Sequence, residues 1–222
     1  MATARKLPLE FRKDEVDYIA QRWKAGVSSS VVGLGSVGKS NFIQHLLDAE
    51  VQAHYLGTEA EKLKTIVIDS NMLGPLPSPG PESEQLRCWA GYELLMHRLF
   101  LAFYPFDMLE ADDARRFYAA YQSLQDGSNP LYAYMSLRYF ELGLEFFFRH
   151  GYRIIFLFDE FDELLRILPV KFFQTLRGVR DLHKHQLQFV TFTRSPLPLL
   201  IERLSIDPLA IEPFAELFTD NV

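Results

Sequence analysis

A glycine-rich segment near the start of the chain has the residue types needed to hold phosphate groups. Residues 33–40 read GLGSVGKS and match the pattern G-x-x-x-x-G-K-[ST]. Glycines let the backbone curl so that successive N–H groups face one point, and a helix beginning near Lys39 adds the positive end of its dipole. The Lys39 ammonium would reach the β- and γ-phosphates, and the Ser40 hydroxyl would ligate Mg²⁺.

The predicted nucleotide contacts extend along this segment into the following helix. They are Gly33, Gly35, Ser36, Val37, Gly38, Lys39, Ser40 and Asn41. The alternative is a glycine-rich turn that joins a strand to a helix and binds nothing. A β-branched pair before the glycines and an amphipathic helix after Ser40 favour the phosphate-binding interpretation.

Two acids follow an apolar run in the second half of the chain. Residues 154–158 read IIFLF, and Asp159 and Glu160 come directly after them. Because a buried parallel strand delivers its carboxyl end to the ligand crevice, Asp159 is predicted to hold Mg²⁺ and Glu160 to act as general base toward water. A helix N-cap is the alternative interpretation of such acids, and it is the favoured one for Asp162 and Glu163.

A third strand-like run ends in a hydroxyl and a guanidinium. Residues 189–195 read FVTFTRS, so Thr193 and Arg194 close the run. If this strand lies between the first and third strands, both side chains would arrive beside the γ-phosphate, where Arg194 would sense or stabilise its charge. The alternative is a surface arginine that follows a strand.

Alternating strands and helices must position these groups. Strands are predicted at residues 31–32, 65–69, 153–158, 188–193 and 209–211, and helices at residues 14–24, 40–50, 85–103, 112–124, 130–150, 162–168, 170–184 and 197–204. Residues 73–84 hold four prolines and are predicted to form a loop. This alternation predicts an α/β fold with a parallel sheet covered on both faces, elaborated by helices at about residues 85–150.

The predicted domain organisation has three parts. Residues 1–27 form an N-terminal segment and helix, residues 28–214 form the core, and residues 215–222 begin a lid or C-terminal domain. The core is large enough to bury many of the nineteen phenylalanines.

Composition argues against several classes of partner. The 222 residues carry a formal charge of −6, which indicates neither nucleic acid nor an anionic membrane surface as a partner. The one cysteine, Cys88, cannot form an internal disulfide, and no apolar run is long enough to span a membrane. We expect a cytoplasmic protein. The absence of an Asn-Lys-x-Asp segment favours ATP over GTP, by elimination.

The three pieces together resemble the additional-strand, catalytic-glutamate division of P-loop ATPases. Within that division, the FDEFDEL wording of residues 158–164 and the Thr-Arg pair after the fourth strand resemble the STAND ATPases and their relatives near the AAA+ and Orc/Cdc6 group. The resemblance implies a three-layer αβα fold with a five-stranded parallel sheet ordered 5-1-4-3-2. It also implies a switch between ADP and ATP that controls self-association or the binding of protein partners.

The resemblance implies two further candidate site residues. In such proteins an arginine-containing segment before the phosphate loop often helps to seat adenine, and residues 9–15, with Arg12, occupy that place without the usual preceding glycine. Arg203 lies where AAA+ proteins often place an arginine finger, and a solvated helix residue is its alternative interpretation.

Three functions remain open on the sequence. The first is a slow, Mg²⁺-dependent ATPase that acts as a regulatory switch, with Glu160 as its signature. The second is a scaffold that holds ATP or ADP with negligible turnover. The third is a small-molecule P-loop kinase, which would not need the Asp159–Glu160 pair and would need basic lid residues.

Overall fold

A four-stranded parallel sheet forms the centre of the protein. The computed structural model describes residues 7–33, 38–126 and 130–218, with the backbone alone at residues 130, 132 and 133. The strands are β1 (Ser29–Val32), β2 (Leu63–Asp69), β3 (Arg153–Asp159) and β4 (Leu187–Thr193). They lie in the order β1-β4-β3-β2, and all neighbouring pairs are parallel.

Ten helices surround this sheet in the described residues. They are α1 (Lys13–Lys24), α2 (Lys39–Leu47), α3 (Ala49–Leu56), α4 (Glu84–Phe103), α5 (Ala111–Gln125), α6 (Pro130–Arg149), α7 (Phe161–Ile167), α8 (Val170–Leu182), α9 (Leu197–Arg203) and α10 (Pro208–Ala215). Short 3₁₀ helices occupy Gly57–Lys62, Ser70–Met72, Pro81–Ser83 and Glu216–Phe218. Within the described part of the chain, no helix combines the length and apolar character needed to cross a membrane.

The central strands are largely apolar because helices cover both faces of the sheet. Successive side chains of a strand point to opposite faces, so β3 contributes Ile155 and Leu157 to one apolar cluster and Phe156 to the other. The first cluster joins β3 and β4 to helices α1, α2 and α3. The second contains residues of α4, α5, α6, α7, α8, α9 and α10. The result is the predicted three-layer αβα arrangement.

The predicted helical elaboration between β2 and β3 is confirmed and consists of α4, α5 and α6. Helix α4 packs on β2 and on α6, and α5 packs on α6. Aromatic rings fill the space between these helices, and the rings of Phe103 and Phe147 stack with centroids 3.8 Å apart. Such ring pairs add to the stabilisation that burial already provides. The elaboration therefore has a core of its own that is continuous with one face of the sheet.

The predicted fifth strand is wrong, because residues 209–211 lie in helix α10. The Asp207 carboxylate accepts a hydrogen bond from Leu209 N at 3.0 Å, and Pro208 occupies the first helical position. Both features are typical of the N-terminus of a helix. Ile211 and Phe214, three residues apart, then bury one face of α10. The described sheet has four strands, in the order 1-4-3-2 instead of 5-1-4-3-2.

The helix predicted at residues 40–50 is two helices. Asp48 adopts an extended conformation that ends α2, and its carboxylate accepts hydrogen bonds from Glu50 N and Val51 N to cap α3. A single aspartate therefore terminates one helix and begins the next. Helix α2 is short as a result, and its N-terminus lies at Lys39.

Candidate functional site

The two described ends of the glycine-rich segment are Gly33, which follows β1 at the carboxyl edge of the sheet, and Gly38, which precedes α2. Gly33 N donates to Thr193 O at 2.9 Å, which ties the start of the segment to the end of β4. Gly38 has φ of +77°, a conformation that favours glycine, and α2 begins at the next residue. Apart from the chain neighbours of Gly33, no heavy atom of the described residues lies within 4 Å of a Cβ built there. The predicted contacts Gly35, Ser36 and Val37 fall outside the described residues.

Lys39 lies against the two acids that end β3. Its Nζ is 3.0 Å from Asp159 Oδ1 and 2.9 Å from Glu160 Oε1, although the residues are about 120 positions apart in sequence. Burial alone would lower the pKa of Lys39, but the hydrogen bonds and charges of Glu160 and Asp159 outweigh it and raise that pKa. The structure thus brings together the lysine of the phosphate-loop pattern and both predicted acids.

Glu160 is bound on both of its carboxylate oxygens. Oε1 accepts from Lys39, and Oε2 accepts from Arg194 Nη2 at 2.8 Å. The hydrogen bond from Lys39 lowers the pKa of Glu160 most; burial opposes it, and the Arg194 charge lowers the pKa further. The charge of Glu160, with that of Asp162, raises the pKa of Arg194. Glu160 therefore remains ionised well below neutral pH in this arrangement.

A sharp backbone turn at Glu160 directs the carboxylates of Asp159 and Glu160 toward Lys39. Glu160 has φ of +48° and ψ of +44°, a left-handed conformation that is uncommon outside glycine and asparagine. Its amide donates to Asp159 Oδ1 at 2.8 Å, so Asp159 stabilises the turn as well as contacting Lys39. The turn separates the end of β3 from the start of α7, and places the two carboxylates at the same lysine.

Strand β4 supplies the third predicted pair. It lies between β1 and β3, as the hypothesis for Thr193 and Arg194 required. The Thr193 hydroxyl is fully buried and has no hydrogen-bond partner in the described residues, whereas Arg194 is exposed and reaches Glu160. Sequence reasoning assigned Asp162 to helix capping, but Asp162 is 6% exposed, and its Oδ2 lies 3.8 Å from Arg194 Nε. Asp162 is the second residue of α7, and its place in the sequence gives no signal for that contact.

The other candidate residues named from the sequence have no described side-chain contact with Lys39, Glu160 or Arg194. Ser40 and Asn41 lie in the first turn of α2 and are exposed. Arg203 is exposed at the end of α9, and no hydrogen bond or ion pair joins it to the site residues among those described. Asp69 is in register with Asp159 on the neighbouring strand, but it accepts hydrogen bonds from Asn71.

Arg12 approaches the phosphate loop from the N-terminal segment. Its guanidinium carbon lies 5.4 Å from the centre of the Phe42 ring in α2, and its Nη2 is 3.8 Å from a Cβ built at Gly38. Arg12 itself has φ of +49° and precedes α1. The segment that the resemblance placed near adenine is therefore adjacent to the end of the loop.

The residues present suit a magnesium-bound nucleotide. A Mg²⁺ ion beside phosphates needs only a hydroxyl and a carboxylate from the protein, with phosphate and water oxygens completing its six ligands. Ser40, in the first turn of α2, and Asp159, which contacts Lys39, are the candidates for that pair. In the described ranges, no three His, Cys, Asp or Glu side chains converge as a metal site, which is compatible with this shared mode of ligation. The positive φ of Gly38, the N-terminus of α2 and Lys39 suit the phosphates.

The parallel sheet, with the phosphate-loop sequence and the strand-end acids at its carboxyl edge, gives an α/β fold that is consistent with that of P-loop NTPases. Among solved structures, the chain is similar to the Aeropyrum pernix ORC2 protein, determined as ADPNP–ADP complexes, with a TM-score of 0.61 and 13% identity. The match covers 100% of this chain and 49% of that one, so the chain spans about half the length of its structural neighbour. At this identity the similarity shows the fold. No protein-family model and no curated protein sequence matches the chain.

Proposed function

We propose that this domain binds Mg·ATP and hydrolyses it slowly, as a nucleotide-controlled regulatory switch or assembly module. The observation that carries the proposal is the position of Lys39 Nζ, 3.0 Å from Asp159 and 2.9 Å from Glu160. A phosphate-binding lysine, a metal-binding acid and a candidate base then share one edge of the sheet. The nucleotides in the ORC2 structure are an additional support, since that protein has the same fold.

Each residue has a role that follows from its chemistry. The amides of residues 33–40 and the Lys39 ammonium would hold the β- and γ-phosphates, and Ser40 and Asp159 would hold Mg²⁺. The bound nucleotide supplies the phosphoanhydride bond, and its metal ion neutralises charge on the phosphates. Glu160 would orient a water molecule and accept its proton at a carboxylate oxygen. Thr193 and Arg194 would contact the terminal phosphate and stabilise the charge that develops there.

The ion pairs of Glu160 favour slow turnover. A carboxylate that already accepts hydrogen bonds on both oxygens, with its pKa lowered by them, is a weak base toward water. Glu160 becomes an effective base only when Lys39 or Arg194 moves to a phosphate. Hydrolysis would then depend on a rearrangement of the site, which is the behaviour required of a switch.

The same ion pairs support the second candidate function, a nucleotide-binding scaffold with negligible turnover. Such a scaffold would use the same loop to hold ADP or ATP and would exchange protein partners when the nucleotide changes. A small-molecule kinase is the least supported function, because nothing in its chemistry requires Glu160 beside Lys39. Phosphate transfer to added nucleosides or other small acceptors would favour the kinase.

Calorimetry tests nucleotide binding, and a single-turnover assay tests hydrolysis. We expect Mg·ATP and Mg·ADP to bind the wild-type protein and to bind Lys39→Ala at least ten times more weakly, because a charge-assisted contact to phosphate is lost. Lys184→Ala, a change at an exposed lysine after α8, is the matched control and should bind as the wild type does. Absence of binding to the wild-type protein would refute both leading functions. Binding without phosphate release would leave only the scaffold.

Self-association and partner binding are proposed as consequences of the switch. Light scattering on the purified protein in Mg·ADP and in Mg·ADPNP would detect nucleotide-dependent assembly. A mass that is the same with both nucleotides would restrict the switch to contacts with other proteins.

A further inference from the structure

A cationic cavity lies away from the phosphate loop, between the N-terminus of α8 and the loop before α4. We propose that this cavity binds an organic phosphate monoester. Its volume is about 340 Å³, and it is lined by Glu84, Arg87, Arg166, Leu168, Pro169 and Lys171, together with four other residues. None of these residues belongs to the nucleotide site described above. The proposal therefore does not depend on ATP binding.

The burial and the hydrogen bonds of Arg87 are the first observation behind the proposal. It is 7% exposed and is the only buried lysine or arginine among the described residues. Its Nη1 donates to Pro77 O at 2.7 Å, and its Nη2 donates to Ile167 O at the end of α7. In the described part of the chain, its guanidinium has carbonyl acceptors, and no carboxylate forms an ion pair with it. A buried guanidinium without a counter-charge is costly, and an anion in the cavity would offset that cost.

Two more cations and a helix N-terminus face the same cavity. Lys171 is exposed and forms no ion pair with a described residue, and Arg166 pairs only with Glu163, at 3.6 Å. Pro169 occupies the N-cap position of α8 and has no side chain that could accept from the first amides. The N–H groups of Val170 and Lys171 are therefore available to a ligand. The mechanism proposed for the nucleotide site uses none of these groups.

The charge and shape of the lining define the class of ligand. Three basic side chains and one acidic side chain, Glu84, line the cavity in a protein whose net charge is −6. This local excess favours an anion, and guanidinium groups with helix amides favour phosphate geometry. Leu168 and Pro169 add an apolar wall, and the volume lies at the small end of the range for small-molecule sites. A phosphate joined to a small apolar group satisfies both features.

Titration of ¹⁵N-labelled protein with phenyl phosphate, in saturating Mg·ADP, tests the proposal by nuclear magnetic resonance. The amides of Val170 and Lys171 should shift in a saturable way, which reports this cavity and not the phosphate loop. Inorganic phosphate should bind more weakly because it lacks the apolar group, and phenol should not shift these amides. Raising the salt concentration should weaken binding, since part of the cavity is open to solvent.

Substitutions in the lining supply the decisive comparison. Lys171→Gln removes an exposed charge and should raise the dissociation constant for phenyl phosphate about tenfold, while Lys184→Gln should leave it unchanged. Arg166→Gln provides a second exposed variant, so that the test does not depend on the fold tolerating a change at buried Arg87. Equal affinity in the wild type, Lys171→Gln and Arg166→Gln would overturn the proposal, as would the absence of saturable shifts at millimolar phenyl phosphate.

Discussion

Arg194 Nη2 lies 2.8 Å from Glu160 Oε2, and this contact joins the ends of two neighbouring strands across the candidate active site. Strand β3 ends at Asp159, one residue before Glu160, and β4 ends at Thr193, one residue before Arg194. The arginine proposed to contact the terminal phosphate therefore restrains the acid proposed to activate water. In the proposed hydrolysis, Glu160 would act as a base only after Lys39 or Arg194 has moved from its carboxylate to a phosphate.

Replacing Glu160 separates binding from hydrolysis. Glu160→Gln keeps the shape of the side chain but cannot accept a proton, so we expect nucleotide affinity within about threefold of wild type and turnover lowered at least a hundredfold. Calorimetry and a phosphate-release assay measure the two quantities. Glu163→Gln, on an acid three residues later in α7 with no contact to Lys39, is the control. Equal rates for wild type and Glu160→Gln would exclude Glu160 as the base.

Replacing Arg194 should discriminate between ATP and ADP. Because Arg194 is proposed to contact only the terminal phosphate, Arg194→Ala should bind Mg·ADP within about twofold of wild type and should lose at least tenfold in turnover. Arg203→Ala serves as the comparison, since Arg203 has no described contact with the site. A larger effect of Arg203→Ala that appears only when the protein self-associates would instead identify Arg203 as a residue acting on a neighbouring subunit. Equal loss of ADP and ATP affinity in Arg194→Ala would contradict the proposed contact.

The lowered pKa of Glu160 makes part of the protein's stability depend on pH. Its folded-state pKa lies below its ordinary value of 4.5, so the ionised form stabilises the fold fully above about pH 4.5. That contribution is lost as the pH falls through the lower folded-state pKa. The free energy of unfolding of the wild type, measured relative to Glu160→Gln by urea titration, should therefore decrease between pH 6 and pH 3. A constant difference over that interval would show that Glu160 is not held by Lys39 and Arg194.

The groups of the candidate site were predictable from sequence, but their partners were not. The runs ending at Asp159 and Thr193 are largely apolar because both faces of β3 and β4 are covered, and a parallel strand must deliver its last residues to one edge. The pairing of Lys39 with Glu160 depends on β4 lying between β1 and β3. Strand order is a long-range property that no local spacing encodes. The resemblance supplied it correctly for β1 to β4.

The wrong predictions of strands and helices fall at short segments whose sequence fits more than one kind of element. Residues 209–211 are apolar and fit either a short strand or a helix turn, and the cap at Asp207 with Pro208 decided for the helix. Asp48 similarly interrupts a helical pattern that is continuous in hydrophobicity. Asp162 was expected to cap a helix, but Glu160 takes the N-cap position of α7, and Asp162 lies in the first turn, buried beside Arg194. The role of each aspartate depends on backbone conformation that composition does not reveal.

Arg12 is expected to contribute to nucleotide affinity from outside the phosphate loop. Its guanidinium lies over the Phe42 ring and close to Gly38, so Arg12→Ala should weaken both Mg·ATP and Mg·ADP by about three- to tenfold. The loss should be similar for the two nucleotides, because a contact near the end of the loop does not distinguish the terminal phosphate. Lys13→Ala, on the neighbouring exposed residue, is the control for calorimetry. Unchanged affinity for both nucleotides in Arg12→Ala would limit Arg12 to a structural role.

Three helical glycines allow a test of how the elaboration packs on the core. A Cβ at Gly91 in α4 would lie 2.6 Å from Cε2 of Phe172, whose ring is buried in α8. A Cβ at Gly143 in α6 would lie 2.5 Å from Cε of Met96, the flexible end of a long side chain. A Cβ built at the exposed Gly178 in α8 has no described heavy atom within 4 Å, apart from its chain neighbours and the backbone of its own helix.

These surroundings predict an order of stabilities. Gly91→Ala should destabilise the protein by about 1–3 kcal/mol, because a ring held between two helices cannot move aside. Gly143→Ala should cost less, because Met96 can change rotamer. Gly178→Ala should stabilise by about 0.5–1 kcal/mol, since alanine loses less backbone entropy in a helix. Urea unfolding of the three variants measures the order, and a Gly91→Ala protein as stable as Gly178→Ala would show that α4 and α8 are not in the close contact described.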